Sequence, residues 1–484
     1  MLLARRKTPS FVVRCGSRLF SAHSSWSPTQ AIRTSINKSG TTDAFYIVNL
    51  AHVVRQHERW LNELPRVAPY YAVKCNNDEM VLKTLANLGC GFDCASPAEI
   101  DQVRALNVAP ERLIYANPCK QMSAMKAARA NGVSFTVFDS KEELIKIKQE
   151  MPDAQLLVRL RPDDSQSVCR FGMKYGADIA EVGPMLSLAQ ELGLSVGGVS
   201  FHVGSGCYSA EAYADAVELA ADAFKIAETH GFSFSLLDIG GGFPGEVRMP
   251  SSVVEPDESQ EAGDHDAATP SFERPPPTFE AIAAALRPAL DKHFPASSGV
   301  RLLAEPGRYY VHASHTLATQ VIGRKVVDPA LVSAANDDSA AAFKYYINDG
   351  IYGSFNCLLY DHAHVTPCIL AKPAAGTNTM MRPQHPSSVW GPTCDGLDCV
   401  LNETMLPELQ VGDWMYFEHM GAYTVAASSS FNGFAPPSAE YVYDDVALDE
   451  EPSRMTQQQD VLPHVTLVAD QLSRTTACRA AVCT

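Results

Sequence analysis

Between about residue 45 and residue 310 the chain keeps one rhythm: a short apolar run, a polar or glycine stop, then a longer stretch with apolar residues at helical spacing. LLVRL (156–160), VGGVSFHV (196–203), FSLLDIGG (234–241) and VRLLAEPG (300–307) are runs of the kind that become strands buried on both faces. AEAYADAVELAADAFKIAETHG (210–231) lies between two of them, carries apolar residues at helical spacing and stops at a glycine. Repeated strand–helix alternation over this span predicts an α/β fold, a TIM-like (β/α)8 barrel. Polar residues gather where the runs stop: Lys74, Asp93, Arg159, His202, the Gly240–Gly242 run and Glu305. In a barrel those ends converge on one face, where an active site is expected.

One segment breaks the rhythm. Residues 246–275 hold eight acidic and two basic residues and four prolines, which reads as a disordered acidic surface insertion. After residue 310 the pattern changes to KYYIND, GSFNCLLYD, DWMYFE and AYTVAA, short strands with turn signals. We assign 311–446 to a C-terminal all-β domain, a modified Greek-key barrel or sandwich, joined by the N-terminal strand near 43–48. Residues 447–484 read as a mobile polar tail. The first 42 residues have no Asp or Glu, seven Lys/Arg and eight Ser, a composition shared by transit peptides and by disordered basic tails. We read them as a tail and expect a cytoplasmic protein, with mitochondrial targeting as the alternative.

Charge narrows the partners. A net charge of −16 disfavours nucleic acid and suits a cationic small molecule. No apolar run reaches the roughly 18–20 residues a membrane span needs. The 13 cysteines include no CxxC pair, and neither Cys90 with Cys94 nor Cys394 with Cys399 has suitable partners for a zinc site. His362 and His364 in DHAH read as polar strand-end residues, so no metal is expected. Free thiols suggest a reducing compartment.

The chemistry starts from YYAVKCN (70–76), a strand-like run with a lysine near its end. Lys74 has two readings: an amine snorkelling to water, or an amine whose pKa falls in a pocket so that it forms a Schiff base with a carbonyl cofactor. Pyridoxal phosphate would need backbone N–H groups and positive charge around its phosphate. DIGGGFPG (238–245) and AEPGRYY (304–310) supply glycines, among them Gly242 and Gly307, together with Arg308. The ring nitrogen needs a carboxylate, and Glu305 stands beside the phosphate loop. His202, in SFHVGSGC, is placed to stack on a ring, and Ser205 to reach the phosphate. GPTCDGLD (391–398) offers Cys394 as a proton donor and Asp395 as a carboxylate for a cation, although taken alone it reads as a turn with a buried cysteine.

These segments, with GFDCASPAEI (91–100), YYINDGIYGSFNCLLYDH (345–362), WGPTCDGLD (390–398) and GDWMYFEHMGAYTVAASSSFNGF (412–434), stand in the order found in a known family. From about 45 to 440, outside the acidic insertion, the chain closely resembles the eukaryotic ornithine decarboxylases of the alanine-racemase-like, fold type III pyridoxal-phosphate enzymes. The resemblance implies that Lys74 carries the cofactor, Glu305 meets the ring nitrogen and His202 stacks on the ring. Ser205, Gly242, Gly307, Arg308 and Tyr423 would bind the phosphate, while Asp93 and Arg159 line the pocket. Tyr360 and Asp361 would contact substrate from one subunit, Cys394 and Asp395 would enter from the other, and Phe431 would close the substrate side. A homodimer follows, with Lys174–Asp398 and Asp139–Lys325 as cross-subunit ion pairs.

The implied reaction is decarboxylation of L-ornithine to putrescine and CO2, the first step of polyamine biosynthesis, with antizyme as a further partner. Two rivals stand beside it: an inactive antizyme-inhibitor-like homologue, and a decarboxylase of lysine, arginine or diaminopimelate. Retention of Lys74, Asp93, Arg159, Arg308, Asp361, Cys394, Asp395 and Tyr423 argues for an active enzyme. A distal carboxylate would call for an arginine where Asp361 and Asp395 stand, which disfavours diaminopimelate. One methylene is worth only about 1–3 kcal/mol, so some activity on lysine is expected.

Overall fold

The computed structural model describes residues 27–246, 276–327, 342–370, 382–443 and 446–447. The expectations for the acidic insertion (beyond Glu246) and for residues 448–484 lie outside them. The first strand, β1 (Phe45–Asn49), and the helix Leu50–Glu63 lead into the predicted barrel. Eight parallel strands close it: β2 (Val67–Ala72), β3 (Gly91–Cys94), β4 (Leu113–Tyr115), β5 (Phe135–Phe138), β6 (Gln155–Arg159), then, after the short β7 (Ser167–Cys169), β8 (Ser195–Ser200). A second short strand, β9 (Ser205–Cys207), pairs with β7, and β10 (Leu236–Asp238) and β11 (Arg301–Ala304) complete the ring.

Each barrel strand passes to the next through a helix, as parallel pairing requires. Local sequence sets several helix starts. Asp78 Oδ1 accepts the N–H groups of Met80 and Val81 at 2.9 and 3.0 Å. In SPAE, Ser96 Oγ accepts the Glu99 N–H at 3.3 Å, while the Glu99 carboxylate returns to the N–H of Ala95 at 2.6 Å.

The strands are buried on both faces, and their period of two sorts the residues. Outer positions such as Phe92, Leu156, Val158, Leu237 and Leu302 join the large cluster beneath the helices. Inner positions Ile114, Val137, Leu157, Leu236 and Leu303 form a separate plug. Two residues further along the same strands, on the same inner side, come Arg159, Asp238 and Glu305, and Asp93 pairs in register with Ile114. The barrel interior is thus apolar below and charged at its C-terminal end.

The second domain is built on one long strand, β12 (His315–Val326). It pairs antiparallel with β1, with β13 (Phe343–Ile347) and with a later strand, Trp414–Phe417. Between these lie β14 (Cys368–Ile369), β15 (Gln384–Trp390) and β16 (Cys399–Pro407), so Trp414–Phe417 is β17, and β18 is Ser438–Tyr443. The sheet runs β16-β15-β13-β12-β1-β18, with β17 bonded to β12 and β14. Strand β1 therefore joins this sheet and not the barrel.

Three local readings change. Residues Pro28–Ser39, taken as part of a disordered tail, form a helix that begins with Pro28 after Ser27 and ends at Gly40 in the left-handed conformation. Its Ile32 is buried against Phe45, Ile47 and Trp414, which is the packing that secures it. GSFNCLLYD is helical, not a strand: Ser354–Asn356 and Cys357–Tyr360 turn because Asp349 Oδ1 accepts the N–H groups of Gly350 (2.8 Å) and Ser354 (3.1 Å). AYTVAA is a turn, held by Asn356 donating to the Thr424 carbonyl at 2.7 Å and by the Thr424 hydroxyl on Met420 O at 2.7 Å. Tertiary bonds override β propensity there.

Candidate active site

Strand β2 stops at Ala72, and Lys74 sits in the single 3-10 turn Val73–Cys75 just beyond it. The turn is clamped from several sides. Tyr71 donates its hydroxyl to Asn76 O at 2.8 Å, Asn76 Nδ2 donates to Gly421 O at 2.9 Å, and the Tyr423 N–H donates to Cys75 O at 2.9 Å. The loop after β17 thereby fixes the lysine from the β domain. Tyr423 holds a positive φ of 55°, an arrangement that costs of order 1–3 kcal/mol for a non-glycine residue.

Lys74 Nζ donates to Asp93 Oδ2 at 2.9 Å, from a side chain 43% exposed into the cavity to a carboxylate only 1% exposed. The expected fall in the lysine pKa is overturned. Burial lowers it, but the charges of Asp93 and Glu305 together with the Asp93 bond outweigh burial, and the ammonium is held charged. His202 goes the other way: burial, then Arg159 and Lys74, push it well below its usual range and keep it neutral. Its Nδ1 accepts the Gly204 N–H at 3.0 Å, which leaves the ring proton on Nε2, and Phe171 meets its ring edge-on at 4.9 Å. A Cβ at Gly241 would lie 2.8 Å from His202 Nε2, so the bare glycine lets the imidazole stand there.

The cavity that contains Lys74 is also lined by His202, Ser205, Gly242, Glu305, Gly307, Arg308 and Tyr423. Arg308 Nη2 reaches Ser205 Oγ at 3.3 Å, and its guanidinium lies 5.1 Å from the Tyr423 ring centroid. Gly242 has φ +91°, and a Cβ there would stand 2.5 Å from Gly204 O. Arg159, 7% exposed at the end of β6, stands near enough for its charge to act on His202 and Glu305. Glu305 Oε1 and Asp93 Oδ1 are buried without a hydrogen-bond partner among the described residues. Unused acceptors, a stacking imidazole, a reactive amine and a cationic glycine cradle together fit pyridoxal phosphate.

Asp361 belongs to this group, and its first partner is Arg308, at 2.6 Å. Cys394, Asp395 and Phe431 do not line the cavity. They form a second cluster on exposed loops of the β domain: Tyr352 donates its hydroxyl to Asp395 Oδ2 and stacks on Phe431 at 4.4 Å, and the Cys394 N–H bonds Asn432 Oδ1 at 3.0 Å. The Leu397 N–H and the Tyr352 hydroxyl hold Asp395 below the usual carboxylate range. Around this cluster Tyr360 (71%) and Leu397 (74%) are large side chains left open. Lys174 and Lys325 are exposed too. Asp398 is not: it is 1% exposed and accepts bonds from Ile351 N (2.8 Å), Thr393 N (2.9 Å) and Thr393 Oγ1 (2.6 Å). Its carboxylate serves its own loop, so the pairing with Lys174 loses its exposed partner. Asp139 gives one oxygen to Gly176 N at 2.9 Å.

Two residues were missed in the sequence. Asp238 stands among the charged inner residues, and its signal was the period of two from Leu236. Tyr352 carried no local signal, because its role comes from a contact with Asp395, 43 positions away.

Comparison with known proteins agrees with this geometry. Residues 50–312 match the pyridoxal binding domain of the pyridoxal-dependent decarboxylases. The chain is 47% identical over 409 residues to the ornithine decarboxylase of Rattus norvegicus, covering 84% of this chain and 82% of that one. It is 45% identical over 412 residues to antizyme inhibitor 2 of Xenopus laevis, covering 85% and 84%. Among solved structures, the arginine decarboxylase of Paramecium bursaria Chlorella virus superposes with a TM-score of 0.73 at 33% identity, covering 86% of this chain and all of that one.

Proposed function

The chain belongs to the pyridoxal-dependent decarboxylases, and from that premise we propose that it converts L-ornithine to putrescine and CO2. The observation that carries the reading is the cavity in which a charged lysine, a neutral histidine and a buried carboxylate meet a glycine cradle with one arginine. An inactive homologue of the antizyme-inhibitor class would have no use for this set.

When bound, pyridoxal phosphate supplies an electron sink for the bond to the departing carboxylate. The chain's own residues do the rest. Lys74 provides the amine that holds the cofactor aldehyde, and Asp93 orients it. Ser205, Gly242, Gly307 and Arg308 receive the phosphate, with Tyr423 packed against the arginine. Glu305 would face the ring nitrogen, and His202, kept neutral, would stack on the ring without adding a further positive charge. Cys394 delivers the proton to the substrate carbon. Asp361 and Asp395 hold the distal ammonium, which would be costly to bury unpaired.

That assignment needs a second copy of the chain. Cys394, Asp395 and Phe431 sit on an exposed cluster outside the Lys74 cavity, flanked by the open Tyr360 and Leu397. A homodimer in which each cavity receives the partner's loop supports both halves of the chemistry. An antizyme-class protein is a further proposed partner, on the similarity to antizyme inhibitor 2. The cytoplasm is the proposed compartment, since the ten described cysteines are all free thiols.

The test is a product assay with pyridoxal phosphate and ornithine, lysine or arginine offered separately. Putrescine as the main product, lost in Cys394→Ala, is expected. Cadaverine or agmatine as the main product would overturn the substrate, and no product from any of them would overturn the enzyme.

A further inference from the structure

Asp238 has no part in the roles assigned so far, yet it is among the most enclosed charged residues of the barrel, with no exposed surface. It follows Leu236 by two on β10, as Glu305 follows Leu303 by two on from β11, and both leucines belong to the inner plug. The strands are adjacent and parallel, with Asp238 in register with Leu303. Both carboxylates therefore project into the barrel from neighbouring strands at its C-terminal end.

The backbone locks them together. Asp238 Oδ1 accepts the Gly240 N–H at 2.9 Å, and Gly240 O accepts the Glu305 N–H at 2.7 Å. Among the described residues each side chain keeps one buried oxygen without a partner, Asp238 Oδ2 and Glu305 Oε1, and the two side chains are within hydrogen-bonding reach of each other. Two ionised carboxylates in that position would repel in a site closed to water; a proton between them turns the repulsion into a hydrogen bond. The surrounding charges agree. Lys74 and Arg159 are two cations against three carboxylates, Asp93, Asp238 and Glu305, so one retained proton balances the cluster. Tyr70 and His202 complete the facing titratable groups, and His202 is neutral. Burial, opposed by Glu305 and the Gly240 N–H, pushes Asp238 up to about 7, and burial followed by the charge of Asp238 raises Glu305 well above its usual range.

We propose that Asp238 is a positioning residue for Glu305: the two carboxylates share one proton, and through it Asp238 holds Glu305 in place as the acceptor that faces the ring nitrogen. The functional half rests on the cofactor reading above. The proton stays within the pair, donated by Asp238, so that Glu305 would present the negative charge to the ring nitrogen of a bound cofactor. No other bond changes.

The first test is thermal unfolding of the cofactor-stripped, full-length protein across pH, comparing wild type with Asp238→Asn. A carboxyl raised in the fold stabilises at low pH and loses that contribution as pH rises from the unfolded value toward about 7. The variant cannot lose such a proton. Its Tm should gain on wild type by a few degrees between pH 5 and pH 8, and parallel profiles would overturn the proposal. The second test is steady-state kinetics of the holoenzyme. Asp238→Ala should lower kcat by of order tenfold, as loss of a residue supporting an active-site ligand does, with KM for ornithine little changed. Asp238→Asn should recover most of the rate, because its amide still donates to Glu305. An unchanged kcat in Asp238→Ala would overturn the positioning role. Should the protein decarboxylate nothing, the unfolding profiles still decide whether the proton is shared.

Discussion

The end of the barrel and the exposed loops of the β domain hold the two groups of residues proposed above to serve one reaction, and they are built on opposite terms. Around Lys74 the charged groups meet one another within the chain: Asp93 on the ammonium, Asp361 on Arg308, Asp238 beside Glu305. Around Cys394 the groups are held in geometry by Tyr352 and Asn432 but lie open to water. Burial and mutual charge set the protonation states of the first region before any ligand arrives. The second acquires its low-dielectric surroundings only when another surface covers it. A chain of this kind can organise its cofactor alone and still be unable to turn substrate over.

The two regions should break differently. Lys74→Ala removes the amine itself, and activity should fall by at least about three orders of magnitude, together with the visible absorbance of the bound cofactor. A variant that keeps the absorbance would contradict the assignment. Asp395→Asn strikes the other half. It should raise KM for ornithine by roughly 10- to 100-fold, the worth of about 1.5–3 kcal/mol for a bond to a charged group. The cofactor spectrum should be unchanged; a spectral change would mean the two regions are not separable as described.

Smaller effects sharpen the same contrast. Gly242→Ala puts a methyl group 2.5 Å from Gly204 O in a left-handed backbone, a strain of about 1–3 kcal/mol, so pyridoxal phosphate binding should weaken roughly tenfold or more without a change in oligomeric state. Fluorescence titration and light scattering together check it. His57, buried against Cys90 and Tyr310, and His315, buried against Asn76, are lowered to about 4 by burial. Each is neutral in the fold, so its contribution is full above pH 6.5 and is lost as pH falls toward 4. His57→Gln should make the fall in Tm over that window shallower, and an unchanged slope would remove His57 from the account.

Much of the first region was legible because it obeys a period. Lys74, Asp93, Arg159, His202 and Glu305 follow apolar runs that can only be barrel strands, and their strand-end positions put them on one face. Asp238 obeyed the same period and was passed over because its neighbours, three glycines, drew the reading to the phosphate. The second region was legible only by resemblance. GSFNCLLYD and AYTVAA have strand-like composition, but Asp349 and Asn356 bend them through bonds that no local pattern announces. The lysine pKa was misjudged for a related reason: desolvation is visible in a run of apolar letters, whereas the carboxylates that outweigh it come from other strands.

The most direct test of the shared site mixes two inactive proteins. Lys74→Ala and Cys394→Ala, unfolded or dissociated together in equal amounts and reassociated, should form mixed dimers in half of the cases, each with one site that has both residues intact. About 25% of wild-type activity should return, as expected for random pairing in a symmetric dimer. Activity no higher than that of the two parents, with mixed dimers demonstrably present, would contradict the account and return Cys394 to its own chain's chemistry.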